Sequence, residues 1–325
     1  MLKRLIATLA LTAAVTVPAA AQNRPTELNF GIISTESTQN LKQDWAGLLE
    51  DMQKRLGLKV NAFFAPDYAG IIEAMRFGKV QVAWFGNKSG MEAVDRASGE
   101  VIAQQLAEDG SPGYWSFLIA HKDSPYNSIE DVKRNAKSIA LGFGDSNSTS
   151  GFLVPGYYAM ALQNLDPKTS FKVMRQANHE TNMMAVASKQ VDVATGNNES
   201  FEKFQRRNPD GAKEIKVIWK SPLIPSDPMV VRKDLDSKLK ADIRAFFVGY
   251  GRDAREKQAL HKIGIGGFKE SDNNQLLPIR QLELFRVKLA LEKDEKMAVA
   301  EKQAKLADID RKLAELNTQM AAIKQ

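Results

Sequence analysis

The 325-residue chain contains no cysteine and only three histidines, His121, His179 and His261. The absence of cysteine excludes disulfide bonds, thiolate metal sites and cysteine nucleophiles. The histidines are far apart in the sequence and lack metal-ligand spacing, so we predict no metal site. Charges of both signs are mixed along the chain, and the formal net charge is only +6. No nucleic-acid partner is therefore expected.

Long apolar runs are also absent, except at the N-terminus. The first residues read "MLKRLIATLALTAAVTVPAAAQ", with Lys3 and Arg4, an apolar run and three alanines before Gln22. This pattern predicts a cleaved secretory signal peptide over residues 1–21. No later stretch approaches the roughly 20 consecutive apolar residues that a membrane-spanning helix needs. We expect an exported mature chain with a net charge of +4.

Apolar strand patterns alternate with amphipathic helix patterns along most of the chain. Strands are predicted at 27–34, 58–65, 80–86, 138–143, 171–175, 190–196 and 215–221. Helices are predicted at 38–57 and 68–78 and from about 149, 180 and 199. The alternation predicts α/β units with mostly parallel sheets. Crossings near 117–125 and 218–230 divide the chain into two lobes with a ligand cleft between them.

The segment "GDSNSTSG", residues 144–151, leads from a predicted strand into a predicted helix. One interpretation is a turn with a helix cap, supplied by Asn147 or Ser148. The other is an anion site, in which Ser148, Thr149, Ser150 and backbone N–H groups converge on an oxyanion. The segment lacks the lysine of a P-loop and the third glycine of a dinucleotide fingerprint. A reversible phosphate-like ligand fits this uncharged donor set.

Further polar residues follow other predicted strands or turns. His179 opens the next helix and is either structural or an added donor to the same anion. The other candidates share acidic or aromatic chemistry, which suits a bound cation: Tyr68, Tyr114, Glu199 and Asp227. Singly, each is more often a turn or surface residue. The sequence shows no nucleophile elbow, no HExxH and no diagnostic carboxylate pair, so no enzyme activity is expected.

The C-terminal residues carry an apolar stripe at spacings of three and four: Leu306, Ile309, Leu313, Leu316, Met320 and Ile323. The stripe covers fewer than three heptads. It predicts a helical tail that either packs back on the body or forms a coiled-coil dimer with a second copy.

Several longer strings together resemble one transport family. They are "NFGIISTES", "VNAFFAPDYAGII", "DGSPGYWS", "NSTSGFLVPGYY", "HETN", "KVIWKSPLIP" and "LLPIRQL". From about residue 27 to 285 the chain resembles the periplasmic phosphonate-binding protein of the phosphonate ABC transporter. The resemblance implies a type II periplasmic binding protein fold, with lobe 1 at 22–120 and 224–285, lobe 2 at 121–223 and a helical tail at 286–325. It also implies a periplasmic protein without a cofactor.

The resemblance also implies a ligand and the residues that bind it. The ligand is 2-aminoethylphosphonate, which is handed to an inner-membrane permease and its ATPase. The phosphonate group is expected at Ser148, Thr149, Ser150 and His179, and the amine at Tyr68, Tyr114, Glu199 and Asp227. Phe85 stands where the family can have tyrosine, and we expect this difference at the pocket rim. Another phosphorus oxyanion as ligand, an exported hydrolase and a sensory interaction protein are the alternatives.

Overall fold

The computed structural model describes residues 25–323, which form two large β-sheets flanked by helices and a short two-stranded ribbon. The predicted signal peptide, 1–21, lies outside these residues. The strands are β1 (Glu27–Ile32), β2 (Lys59–Phe64), β3 (Val82–Trp84), β4 (Gly99–Leu106), β5 (Gly113–Tyr114), β6 (Ser116–His121), β7 (Ala140–Phe143), β8 (Val173–Gln176), β9 (Val193–Asn197), β10 (Ile215–Lys220), β11 (Ile224–Pro225), β12 (Pro228–Arg232) and β13 (Gly267–Glu270). The α-helices are α1 (Thr38–Leu56), α2 (Tyr68–Arg76), α3 (Asn87–Arg96), α4 (Ile129–Asn135), α5 (His179–Ala187), α6 (Asn198–Arg207), α7 (Pro209–Lys213), α8 (Ser237–Val248), α9 (Ala254–Ile263), α10 (Leu277–Glu292) and α11 (Val299–Ile323).

Helix α1 shows how local sequence sets an element of the first lobe. The Ser37 hydroxyl caps it by accepting a hydrogen bond from Asn40 N at 3.2 Å. Gly57 ends it in a left-handed conformation with φ of 62°. The apolar face predicted from the sequence is buried, and Trp45 packs against Phe30 of β1 with ring centroids 5.4 Å apart.

The two sheets are mixed, and the expectation of mostly parallel sheets is wrong. The first sheet has the order β13-β4-β12-β3-β1-β2, and the second β10-β6-β9-β7-β8. Strands β2 and β3 pair in parallel with β1, and β8 and β9 with β7. By contrast, β12 is antiparallel to β3 and β4, and β6 to β9 and β10. Strands β6 and β12 follow the two crossings. Their direction depends on how the chain returns from the other sheet, and the alternation of helix and strand patterns does not encode this.

The chain crosses between the sheets twice, at a ribbon in which β5 pairs antiparallel with β11. The first crossing runs from 107 to 115, because β4 belongs to the first sheet and β6 to the second. The predicted crossing at 117–125 and the lobe boundary at 120 are therefore too late by one strand. The second crossing, at 221–227, falls inside the predicted range 218–230. We call the part built on the first sheet the first lobe and the part built on the second sheet the second lobe.

The helix predicted from about residue 149 forms, but mostly with wide π-type turns over Thr149–Leu153 and Gly156–Met160. Pro155 has no N–H to bond the Gly151 carbonyl one turn earlier. That carbonyl instead accepts hydrogen bonds from Gly144 N at 2.9 Å and Thr195 Oγ1 at 2.8 Å. Wide turns of this kind are frequent at functional sites. Here the two hydrogen bonds to the Gly151 carbonyl connect the start of the helix to the loop that precedes it and to β9.

The tail packs against the body, which is one of the two arrangements that its sequence allowed. Helix α11 runs antiparallel to α10, with Gln281 Nε2 donating to Asn317 Oδ1 at 2.6 Å and Lys288 Nζ lying 2.5 Å from Asp310 Oδ1. The stripe residues Ile309, Leu313 and Leu316 are buried. Over residues 25–323, no helix combines the length and the apolar character needed to span a membrane.

Candidate functional site

A small polar cavity lies between the two lobes. Its volume is about 30 Å³. All eight residues singled out from the sequence line it: Tyr68, Tyr114, Ser148, Thr149, Ser150, His179, Glu199 and Asp227. They are dispersed over 160 positions of the chain, and the fold brings them to one place. The cavity suits a small molecule that both lobes can contact.

At one end of the cavity, each of three hydroxyl oxygens accepts a hydrogen bond from a different N–H group. Ser148 Oγ accepts from Gly151 N at 2.9 Å. Thr149 Oγ1 accepts from Lys88 N at 2.8 Å, and Ser150 Oγ accepts from Asn197 Nδ2 at 3.0 Å. A hydroxyl whose oxygen is used in this way still has its own proton to donate. Three such donors at a helix N-terminus are the arrangement that suits an anion with several oxygens.

Ser148 caps the helix, as the first interpretation of the "GDSNSTSG" segment predicted, and it also lines the cavity. The anion site stays a prediction. Two glycines let the loop close on itself. A Cβ on Gly144 would lie 2.5 Å from the Gly151 Cα, and a Cβ on Gly151 would lie 3.1 Å from His179 Cε1. Side chains at these positions would push the three hydroxyls out of place.

His179 lies beside the hydroxyls as an uncharged imidazole. Its Nε2 is 3.5 Å from Ser148 Oγ and 3.3 Å from Asn197 Nδ2. Burial, with a smaller effect of Lys203, lowers the pKa of His179 to about 4. The ring is therefore neutral near pH 7 and contributes to this end of the cavity as a hydrogen-bonding group.

The opposite end of the cavity is acidic. Asp227 Oδ1 accepts hydrogen bonds from Tyr114 OH at 3.0 Å and from Asn87 Nδ2 at 3.1 Å. Burial raises the pKa of Asp227 to about 7, although the hydrogen bonds from Tyr114 OH and from the Asn87 backbone N–H oppose the shift. Burial, with repulsion from Asp227 second, raises the pKa of Glu199 to about 8. Two buried carboxyl groups that resist ionisation are suited to a cation, which restores their charge.

Tyr68 connects the acidic end of the cavity to the 144–151 segment of the second lobe. It is the first residue of α2, and its backbone N donates to Asp145 Oδ2 at 3.2 Å. Burial and then the nearby Asp145 and Asp227 carboxylates raise the pKa of Tyr68. Burial and then Asp227 likewise raise the pKa of Tyr114. Both phenols stay protonated, and their oxygens can accept a hydrogen bond from an ammonium group.

The sequence analysis assigned no role to three residues that support this set. Asn87, Lys88 and Asn197 supply the N–H groups that hold Asp227, Thr149 and Ser150. Asn87 and Asn197 directly follow predicted strands, which was a usable signal. The Lys88 contact is made by a backbone N–H, which has no sequence signature. Phe85 was expected at the pocket rim and is instead fully buried in the first-lobe core, away from the cavity lining.

One group of potential metal ligands exists among residues 25–323, outside the cavity. The ligand atoms of His121, Asp123 and Glu214 lie within 4.8 Å of one another. Lys122 Nζ lies 2.8 Å from Glu214, and Lys189 Nζ lies 3.4 Å from Asp123. The two lysines already neutralise these carboxylates, so the group gives no support for a metal site.

Comparisons with known proteins agree on one family. The profile described as "ABC transporter, phosphonate, periplasmic substrate-binding protein" matches residues 30–276. The phosphonates-binding periplasmic protein of Escherichia coli is 52% identical, covering 98% of this chain and 97% of its own. The crystal structure of a phosphonate ABC transporter binding component from Pseudomonas aeruginosa is 53% identical, with a TM-score of 0.90, covering 92% of this chain and 99% of its own. A phosphate-import protein of Mycolicibacterium smegmatis is 27% identical, covering 78% of each chain.

Proposed function

Since this chain belongs to the periplasmic substrate-binding proteins of phosphonate ABC transporters, we propose that its preferred ligand is 2-aminoethylphosphonate. Family membership gives the chain a periplasmic location, phosphonate binding and a membrane permease as partner. The relatives are transport proteins and not enzymes. The identity of the ligand and the role of each cavity residue are the proposed part.

The observation that carries the proposal is the opposite chemistry of the two cavity ends. Ser148, Thr149 and Ser150 offer hydroxyl protons at one end, and Glu199 and Asp227 offer carboxylates at the other. A small zwitterion with a phosphonate and an ammonium group complements both ends. Charge-assisted hydrogen bonds contribute roughly 1.5 to 3 kcal/mol each, so a few of them hold a small ligand tightly.

Closure follows from the distribution of these groups over the lobes. The hydroxyls and Glu199 belong to the second lobe, whereas Tyr68 belongs to the first, and Asp227 lies where the chain re-enters it. Without a ligand, ionised Glu199 and Asp227 would repel each other across the closed cleft. An ammonium group between them removes the repulsion, so the ligand shifts the open-closed equilibrium toward the closed state.

Thermal shift assays test the ligand class. We expect 2-aminoethylphosphonate to raise the melting temperature more than ethylphosphonate, phosphite or phosphate at equal concentration. The relative named as a phosphate-import protein makes phosphate a necessary member of the panel. A larger shift with phosphate or phosphite would favour another phosphorus oxyanion as the ligand.

The acidic end predicts a specific dependence on pH. The pKa values of Glu199 and Asp227, about 8 and 7, exceed those of the unfolded chain, so ionisation destabilises the ligand-free closed protein. Binding an ammonium group releases these protons, so affinity should rise with pH by up to about tenfold per unit for each proton released.

Calorimetry across pH 6 to 8.5 measures this effect as the ratio of two dissociation constants, for 2-aminoethylphosphonate and ethylphosphonate. The ratio cancels most of the titration of the phosphonate group itself. It should increasingly favour the amine-bearing ligand as pH rises. A ratio independent of pH would show that the carboxyl groups are already ionised before binding.

A second copy of the chain is a further proposed partner of the tail. The α10–α11 hairpin leaves Phe285, Val299 and Ile323 exposed. Light scattering of the full protein should give twice the mass of one chain, and the mass of one chain would refute this proposal.

A further inference from the structure

Helix α6 presents a row of charged residues toward the first lobe. Glu199, Lys203 and Arg207 are four positions apart, which places them on one face of the helix. Glu199 and Lys203 line the ligand cavity, and Arg207 lies one turn further along. One helix face therefore carries both a proposed ligand contact and two cations.

These two cations pair with acids of the other lobe. Lys203 and Arg207 both contact the Glu36 carboxylate, which follows β1. Arg207 also contacts Asp44 of α1. The Lys203 side chain is 7% exposed and that of Glu36 is 3% exposed. Four charged groups from two lobes thus meet in a largely buried cluster.

A second contact between the lobes lies beside this cluster. Glu180 of α5 accepts hydrogen bonds from Ser37 N at 2.7 Å and from Asn40 Nδ2 at 2.6 Å. Ser37 caps α1, which also carries Asp44, so the start of α1 is held by α5 and α6 together. None of Glu36, Asp44, Arg207 or Glu180 lines the ligand cavity.

We propose that Glu36, Asp44, Lys203 and Arg207 form an interlobe latch that stabilises the closed state and tunes affinity for every ligand alike. The latch forms only when the lobes meet, because its acids and its cations belong to different lobes. Apparent affinity scales with the fraction of protein that can adopt the binding-competent state. The latch thus sets how tightly ligands bind, whereas the cavity ends set which ligand binds. This proposal depends on the proposed function only in the choice of the ligands that test it.

Helix α1 supplies a matched pair of variants. Asp44→Asn removes a latch charge that pairs with Arg207 of the second lobe. Asp51→Asn removes a buried charge two turns later in the same helix. The Asp51 carboxylate pairs with Arg255 and accepts a hydrogen bond from Tyr250 OH at 2.8 Å, and all three residues belong to the first lobe. Both variants lose one buried carboxylate from the same helix, and only the first alters a contact between lobes.

For Asp44→Asn, calorimetry should show about tenfold weaker binding of both 2-aminoethylphosphonate and ethylphosphonate, by the same factor. Asp51→Asn should lower the melting temperature and leave both affinities unchanged. In an Arg207→Met background, Asp44→Asn should have little further effect. Unchanged affinity in Asp44→Asn, unequal factors for the two ligands, or an undiminished effect in the Arg207→Met background would overturn the latch.

Spin labels test the latch without assuming a ligand. The chain has no cysteine, so Lys42→Cys and Lys213→Cys place one label on each lobe. In ligand-free protein, the population at the short interlobe distance should decrease in Asp44→Asn and stay unchanged in Asp51→Asn. Equal populations in the parent and Asp44→Asn would overturn the latch. A parent protein that no phosphonate closes would instead contradict the proposed function.

Discussion

Replacing Glu199 by glutamine is expected to weaken binding of 2-aminoethylphosphonate roughly 10- to 150-fold, the effect of losing one charge-assisted hydrogen bond. The ammonium group then keeps only Asp227 as its anionic partner at this end of the cavity. Ethylphosphonate lacks the amine and should bind the variant as well as it binds the parent protein. Calorimetry with both ligands measures the difference.

Glu202→Gln is the matched control for this change. Glu202 lies on the same helix, α6, but is exposed and does not line the cavity. This variant should bind both ligands with parent affinity. Equal losses for the two ligands in Glu199→Gln would contradict the assignment of Glu199 to the amine.

Replacing Thr149 by valine should weaken every phosphonate, with or without an amine, by roughly 10- to 100-fold. The substitution keeps the shape of the side chain but removes one hydroxyl donor to the anion. It also leaves the Lys88 N–H of the first lobe without its acceptor. Both losses act on the bound, closed state. Calorimetry with 2-aminoethylphosphonate and ethylphosphonate should therefore give similar factors.

Thr149→Ser retains the hydroxyl and should restore most of the affinity lost in Thr149→Val. Thr169→Val, at an exposed position of the second lobe, controls for the loss of a threonine hydroxyl elsewhere. Parent affinity in Thr149→Val, or a loss confined to the amine-bearing ligand, would show that the hydroxyl run does not bind the phosphonate group.

Within residues 25–323, sequence patterns predicted seven of the thirteen strands, but not β4, β5, β6, β11, β12 or β13. They also singled out eight residues that line the cavity. Strand and helix periodicities are local, and most of the candidates, such as Ser148 and Glu199, follow strands, where α/β folds place ligands. The direction of β6 and β12 could not be predicted, because it depends on how the chain returns from the other lobe. Periodicity alone also could not reveal the wide turns, since they depend on Pro155 and on partners in β9.

Contacts between the lobes were the least predictable part of the site. Lys88 N donates to Thr149 across 61 positions, and Arg207 contacts Asp44 across 163 positions. The four-residue spacing of Glu199, Lys203 and Arg207 is visible in the sequence, but such a row is usually a solvated helix face. In the folded protein the two lobes meet at this face, and Glu36 and Asp44 of the first lobe cover it. The sequence alone does not show this contact.

The central claim is that one cavity recognises a phosphonate and an amine at the same time. Its most direct test is calorimetric titration of the purified protein with 2-aminoethylphosphonate and ethylphosphonate at pH 8, because these ligands differ only by the amine. We predict that 2-aminoethylphosphonate binds at least about tenfold more tightly, as expected for a charged hydrogen-bonding group in a buried acidic site. Equal or tighter binding of ethylphosphonate would contradict the account.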